Sequence, residues 1–133
     1  MLSAAANVVA VIRRACPGST QDNAAGTKAL IPQLQACTEL NSLDLQDNDL
    51  DTDAINIIAP SLSQLKALGD LRVANNGIGA KDGGAGARAL IPVLKSLPKL
   101  HTLYFTQYEK DAVPDDIRAA IQDAVPEGCV VHY

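Results

Sequence analysis

The sequence has no tryptophan, a single phenylalanine and three tyrosines, so aromatic residues make up only 3% of its 133 positions. An interior built around large rings is excluded, and Leu, Ile, Val and Ala must fill the core. Cysteine is scarce and odd in number: Cys16, Cys37 and Cys129 stand far apart, with no two-residue gap of the zinc or redox kind. That usage fits a reduced, intracellular and cytoplasmic protein better than a disulfide-stapled one. No apolar run approaches the roughly 20 residues of a membrane span. The start of the chain also lacks a basic segment ahead of an apolar one, because Arg13 and Arg14 come too late for a secretion signal. Basic excess is missing too. A net charge of −4 gives no clustered Lys/Arg surface for nucleic acid or anionic lipid.

What is present is a soluble globular composition, 47% apolar and 20% charged, at the length of one domain. The clearest feature is internal repetition. Residues 26–40 read GTKALIPQLQACTEL and residues 86–100 read GARALIPVLKSLPKL. Leu40, Leu43, Leu45 and Asn48 align with Leu68, Leu71, Val73 and Asn76, then with Leu100, Leu103, Phe105 and Tyr108. A last copy sets Val131 and Tyr133 where Leu103 and Phe105 stood, so the steps are 28, 32 and 28 residues.

Within each copy the apolar spacing changes in the same order. Leu43-Asp44-Leu45 and Leu71-Arg72-Val73 alternate with the period of a half-buried strand. Asp47-Asn48-Asp49 and Asn75-Asn76-Gly77 then supply turn residues. After the turn, Leu90, Leu94 and Leu97, or Ile117, Ala120, Ile121 and Ala124, follow helical spacing. Strand, turn and helix in a fixed order predict a parallel sheet of about four strands with helices on its other side.

The pattern L-x-x-L-x-L-x-x-N, as LNSLDLQDN and LGDLRVANN, resembles the leucine-rich repeat, and the period of about 28 residues is similar to its ribonuclease-inhibitor-like subclass. The resemblance covers residues 24–133. It implies an α/β solenoid with a short curved parallel sheet, helices on the convex side, and an asparagine ladder through Asn48 and Asn76 that Tyr108 interrupts. It also implies a single domain whose function is to bind another protein. Similar repeats form the activating protein of the Ran GTPase, so a GTPase regulator is a further reading, although no motif carries that role over.

Residues 1–23 match the repeat poorly. A helix over residues 3–15 sets Leu2, Ala5, Val9, Ile12 and Cys16 on one face and makes a terminal cap, which is favoured. The other reading is a worn repeat with Val8 and Val11 at leucine positions, which sets Arg13 toward the core. Pro32, Pro60 and Pro92 recur at one register and predict a bend or a short 3₁₀ start in each helix. Pro114-Asp115-Asp116 reads as a helix beginning. The last copy, with no helix after it, reads as a true end of the chain.

Candidate functional residues are the outward strand positions, which alignment arranges in rows about 4.8 Å apart. One row is Ser42, Asp70, Thr102 and Val130. The central row is Asp44, Arg72, Tyr104 and His132. A third is Gln46, Ala74 and Thr106, and Asp47, Asn75 and Gln107 line the turn edge. The expected partner-binding set on this concave face is Ser42, Asp44, Gln46, Asp70, Arg72, Tyr104, Thr106 and His132. Arg72 and Tyr104 are its expected anchors, since Tyr and Arg dominate protein interfaces. The plainer alternative is a solvated face with an exposed Asp44–Arg72 pair.

Catalysis is not expected, because the central row has no nucleophile or oxyanion-donating turn beside it. No cofactor, metal or nucleic acid is expected either. Asp49, Asp51 and Asp53 imitate the start of a calcium loop, but Ala54 replaces the required Gly and Pro60 stands where the bidentate Glu belongs. Residues 77–86 are glycine-rich without the G-K-[S/T] ending of a phosphate loop, and read as an insertion on the convex side. Two further expectations concern single residues: Cys37 as a buried hydrophobe and His101 at the junction between copies. The exposed backbone of residues 129–133 offers a strand edge, so a small structural subunit held through that edge is the runner-up function.

Overall fold

A computed structural model describes residues 8–11, 28, 31–36, 39–48, 50–76, 78, 81–107 and 112–133. Five strands lie in one parallel sheet in chain order: β1 (Val8–Val11), β2 (Leu40–Asp44), β3 (Asp70–Arg72), β4 (Thr102–Tyr104) and β5 (Val130–His132). Between them run α1 (Ile31–Gln35), α2 (Thr52–Leu62), α3 (Ala85–Lys95) and α4 (Asp115–Ala124). Parallel neighbours require a crossover, and each of the four contains a helix among the described residues. None of the described helices is long and apolar enough to cross a membrane.

The register follows from which leucines must be dry. Leu43 lies opposite Leu71, Leu71 opposite Leu103, and Leu103 opposite Val131. Leu40, Leu43 and Leu45, with their counterparts Leu68, Leu71, Val73, Leu100, Leu103 and Phe105, are all buried. From the helices come Ile55, Ile58 and Leu62, then Leu90 and Leu94, then Ile117 and Ile121, completing one continuous core. Each such side chain gains on the order of 1.5–3 kcal/mol from leaving water. A one-residue slip would turn a whole strand's set outward, so burial fixes the register.

Two expectations are corrected. Val8–Val11, inside the segment read as a capping helix, is a strand paired with β2. Three of its four residues are β-branched valines, which favour extended backbone. The pairing sets Ala10 opposite Leu43, with a register shift between Val8 and Val9. The worn-repeat reading had instead matched Val11 to Leu43, one residue out, which is what brought Arg13 to a core position.

Of the bend or 3₁₀ start expected at the prolines, the 3₁₀ start is not found at Pro60 or Pro92. Pro60 and Pro92 lie near the ends of α2 and α3, which run through them as α-helix. Each deprives the carbonyl four residues earlier of its partner. Those residues, Asn56 and Arg88, are exposed, so the freed carbonyls lie on the wet side. Acidic residues begin α2 and α4 as charge and dipole dictate. Asp51 Oδ1 accepts the Ala54 N–H at 2.9 Å, and Asp115 and Asp116 follow Pro114, which sits at the cap itself. In the glycine-rich stretch a 3₁₀ turn, Lys81–Gly84, leads into α3, with Gly83 and Gly84 at positive φ where other residues are strained.

Candidate functional site

The strand alternation that buries Leu43, Leu71 and Leu103 sends their neighbours to the opposite face. Ser42, Asp70, Thr102 and Val130 form one row and Asp44, Arg72, Tyr104 and His132 the next, each residue paired with the following one across the sheet. Both rows agree with the alignment. Exposure increases along the central row: Asp44 is buried, Arg72 and Tyr104 are half-buried, and His132 is exposed. In the third row Gln46 is half-buried and Thr106 exposed, while Ala74 is buried.

Contacts within the central row are planar stacks. The Arg72 guanidinium carbon lies 4.5 Å from the centre of the Tyr104 ring. On the other side of Tyr104, the His132 ring is 4.4 Å away at an interplanar angle of 7°. Three planar groups from three strands therefore stand in a line, a cation over one face of Tyr104 and a stacked imidazole on the other, spaced by the sheet itself. Asp70 holds the Arg72 end through Nε–Oδ1 at 3.3 Å and Nη2–Oδ2 at 3.5 Å. That hydrogen bond, then the Asp70 charge, pushes the already high pKa of Arg72 further up.

Asp70 and Arg72 are two apart on one strand and so share a face, and Asp70 is at salt-bridge distance from Arg72. The Asp44 charge also acts to raise the Arg72 pKa, and Asp44 Oδ1 accepts the Gln46 N–H at 3.0 Å.

At the rim of the sheet a second row is fully buried. Asn76 Oδ1 accepts from Asn48 N at 2.9 Å and Leu50 N at 3.2 Å; its Nδ2 donates to Leu45 O and Val73 O, each at 3.0 Å. Sequence alignment placed Tyr108 at the next rung and Gln107 on the turn edge. Gln107 occupies the rung: Oε1 accepts from Asn76 N at 3.0 Å and Ile78 N at 3.4 Å, and Nε2 donates to Val73 O at 3.2 Å and Phe105 O at 3.0 Å. These are the equivalents of four of Asn76's five partners, one copy further on; the fifth is Ala74 O, at 3.3 Å from Asn76 Nδ2. Asp47 and Asn75, just ahead of the asparagine rungs, have φ of 58° and 55°. Gln107 reaches its partners without such a step, because its extra methylene replaces it.

Other singled-out residues have structural surroundings. The exposed His101 precedes β4, with its ring against Gly69 and Nδ1 2.9 Å from Thr102 Oγ1. Cys129 is a free thiol whose pKa burial pushes up, which makes it a poorer nucleophile at neutral pH. Tyr133 was missed as a tether. Its hydroxyl donates to Arg118 O at 3.0 Å and accepts from Gln122 Nε2 at 3.1 Å, and the Arg118 guanidinium lies 4.9 Å from its ring centre. The available signal was its match to Phe105, an inward position. Cys37 and Asp49 lie outside the described residues. Among the described residues no group of three or more His, Cys, Asp or Glu could hold a metal ion. No protein-family model matches the chain, and no curated protein matches its sequence.

Proposed function

We propose that this chain is a leucine-rich-repeat solenoid of the ribonuclease-inhibitor-like kind, and that it binds a partner protein on its concave strand face without catalysing a reaction. The copies in register, with β2, β3 and β4 each followed by a buried amide rung and a helix, support the repeat reading. The observation that carries the function is the Arg72–Tyr104–His132 stack, held at one end by Asp70 and partly open to solvent. Preorganised planar groups lose little conformational freedom on binding, and Tyr and Arg are the residue types that most often anchor interfaces. Ser42, Asp44, Gln46 and Thr106 surround the stack with hydrogen-bonding groups that set specificity.

The same geometry weighs against a proton relay. Tyr104 and His132 meet face to face, and a parallel stack does not point the phenol hydroxyl at an imidazole nitrogen. The test is capture of partners from native cells by the tagged protein, beside an Arg72→Glu/Tyr104→Ala variant and a Lys95→Glu control on exposed α3. A partner kept by wild type and control but lost by the folded double variant is the expected result. Equal capture by all three moves the binding site off this face.

A further inference from the structure

We propose that β5 pairs with β5 of a second copy of this chain, antiparallel about a two-fold axis at Val131. This interface adjoins the face proposed above and shares His132 with it. The evidence begins with backbone polarity. Val130 N–H donates to His101 O at 2.9 Å, and His132 C=O accepts from Phe105 N at 2.7 Å, so residues 130 and 132 spend their groups on β4 and its flanks. In a parallel ladder the intervening residue points both groups the other way. The N–H and C=O of Val131 therefore face outward from the last strand, with no partner among the described residues.

An antiparallel copy centred on Val131 satisfies them reciprocally. Val131 N–H meets the other Val131 C=O, and Tyr133 N–H meets the other Cys129 C=O, each contact occurring twice. The side chains fit the same axis. Val130 is 55% exposed, the one large apolar side chain so exposed among the described residues. Under this two-fold it lies directly opposite His132 of the second copy, in the close non-hydrogen-bonded type of pair. His132 has one ring face on Tyr104, and its other face looks past the edge, toward that valine.

Charge and edge design favour a second copy over an unrelated strand. Residues 129–133 carry no Asp, Glu, Lys or Arg, so the segment meets itself without like-charge opposition. They also lack the lysine, proline or bulge by which an edge strand is usually kept from pairing. Paired strands this short make a small interface, so the dimer is weak and forms in the micromolar-to-millimolar range.

Two measurements decide the matter. Sedimentation velocity from low micromolar to low millimolar protein is expected to show reversible dimerisation, lost in Val130→Lys while its circular dichroism and melting stay as in wild type. A monomeric wild type throughout, or a dimer indifferent to Val130→Lys, overturns the proposal. The register is read by oxidation in a background with Cys16, Cys37 and Cys129 replaced by serine. A disulfide is expected when a Val130→Cys variant is mixed with a His132→Cys variant, and not with either alone. Failure of the mixture to cross-link overturns the proposal whatever the sedimentation shows, and cross-linking by His132→Cys alone overturns the register.

Discussion

Two rows of side chains cross the same strands and obey different rules. The rim row, Asn48, Asn76 and Gln107, is buried and spends its amides on backbone groups of neighbouring copies. The central outward row, Asp44, Arg72, Tyr104 and His132, changes chemistry at every strand and ends in open stacking. In the rim row each member closes a backbone geometry that recurs, so only an amide of suitable reach will serve. In the outward row water is an acceptable neighbour, and the sheet imposes spacing but not identity. Recurrence therefore marks structure, and variation at fixed spacing marks the surface available to a partner.

The sharpest way to break this comparison is Asn76→Ala. Losing that amide removes the acceptor used by two buried N–H groups, those of Asn48 and Leu50, while the Leu45 and Val73 carbonyls keep donors in Asn48 Nδ2 and Gln107 Nε2. At roughly 1–3 kcal/mol for a stranded group, with partial relaxation, destabilisation of about 3–4 kcal/mol is expected in urea unfolding. A loss below about 1 kcal/mol would mean that the ladder is decoration. Gln107→Asn tests reach alone: the amide remains but stands one methylene short, and about 1–2 kcal/mol should be lost. If Asn serves as well as Gln there, backbone adjustment rather than side-chain length closes the rung.

Substitution in the outward row should leave stability nearly untouched. Tyr104→Ala removes one cation–π contact and one ring stack, worth about 1 kcal/mol or less at a half-exposed site. A melting curve shifted as far as that of Asn76→Ala would erase the distinction between the rows. The smallest effect belongs to the row at the strand starts. A Cβ on Gly69 would come within 2.7 Å of His101 Nε2, the far end of an exposed side chain that can swing away. Gly69→Ala should therefore cost about 0.5 kcal/mol, and nothing when His101→Ala is already present, as a double-mutant cycle will show.

Much of this was legible in the sequence because burial repeats. Matching Leu43, Leu71, Leu103 and Val131 fixed the register of four strands, and with it the residues sharing each outward row. Four features were hidden for separate physical reasons. Ala10 occupies the position of Leu43 with only a methyl group, so β1 carried no leucine signal, and its valines suited a helical face as well as a strand. Gln107 escaped because alignment counts residues, whereas a hydrogen bond depends on the reach of atoms. The Asp70–Arg72 pair was displaced in favour of Asp44 because sequence rows emphasise the cross-strand neighbour, while a long Arg side chain can also fold back along its own strand. The stack of Arg72 on Tyr104 and His132 depends on side-chain rotation, which the pattern of residue types leaves free.

Gln107 bears on how such a chain can change over generations. Leu71 and Leu103 are 32 residues apart, but Asn76 and Gln107 only 31, and four contacts recur at the two rungs. A spacing one residue shorter is thus compatible with the same rung when the side chain is one methylene longer, so a change in count and a change from Asn to Gln can offset one another.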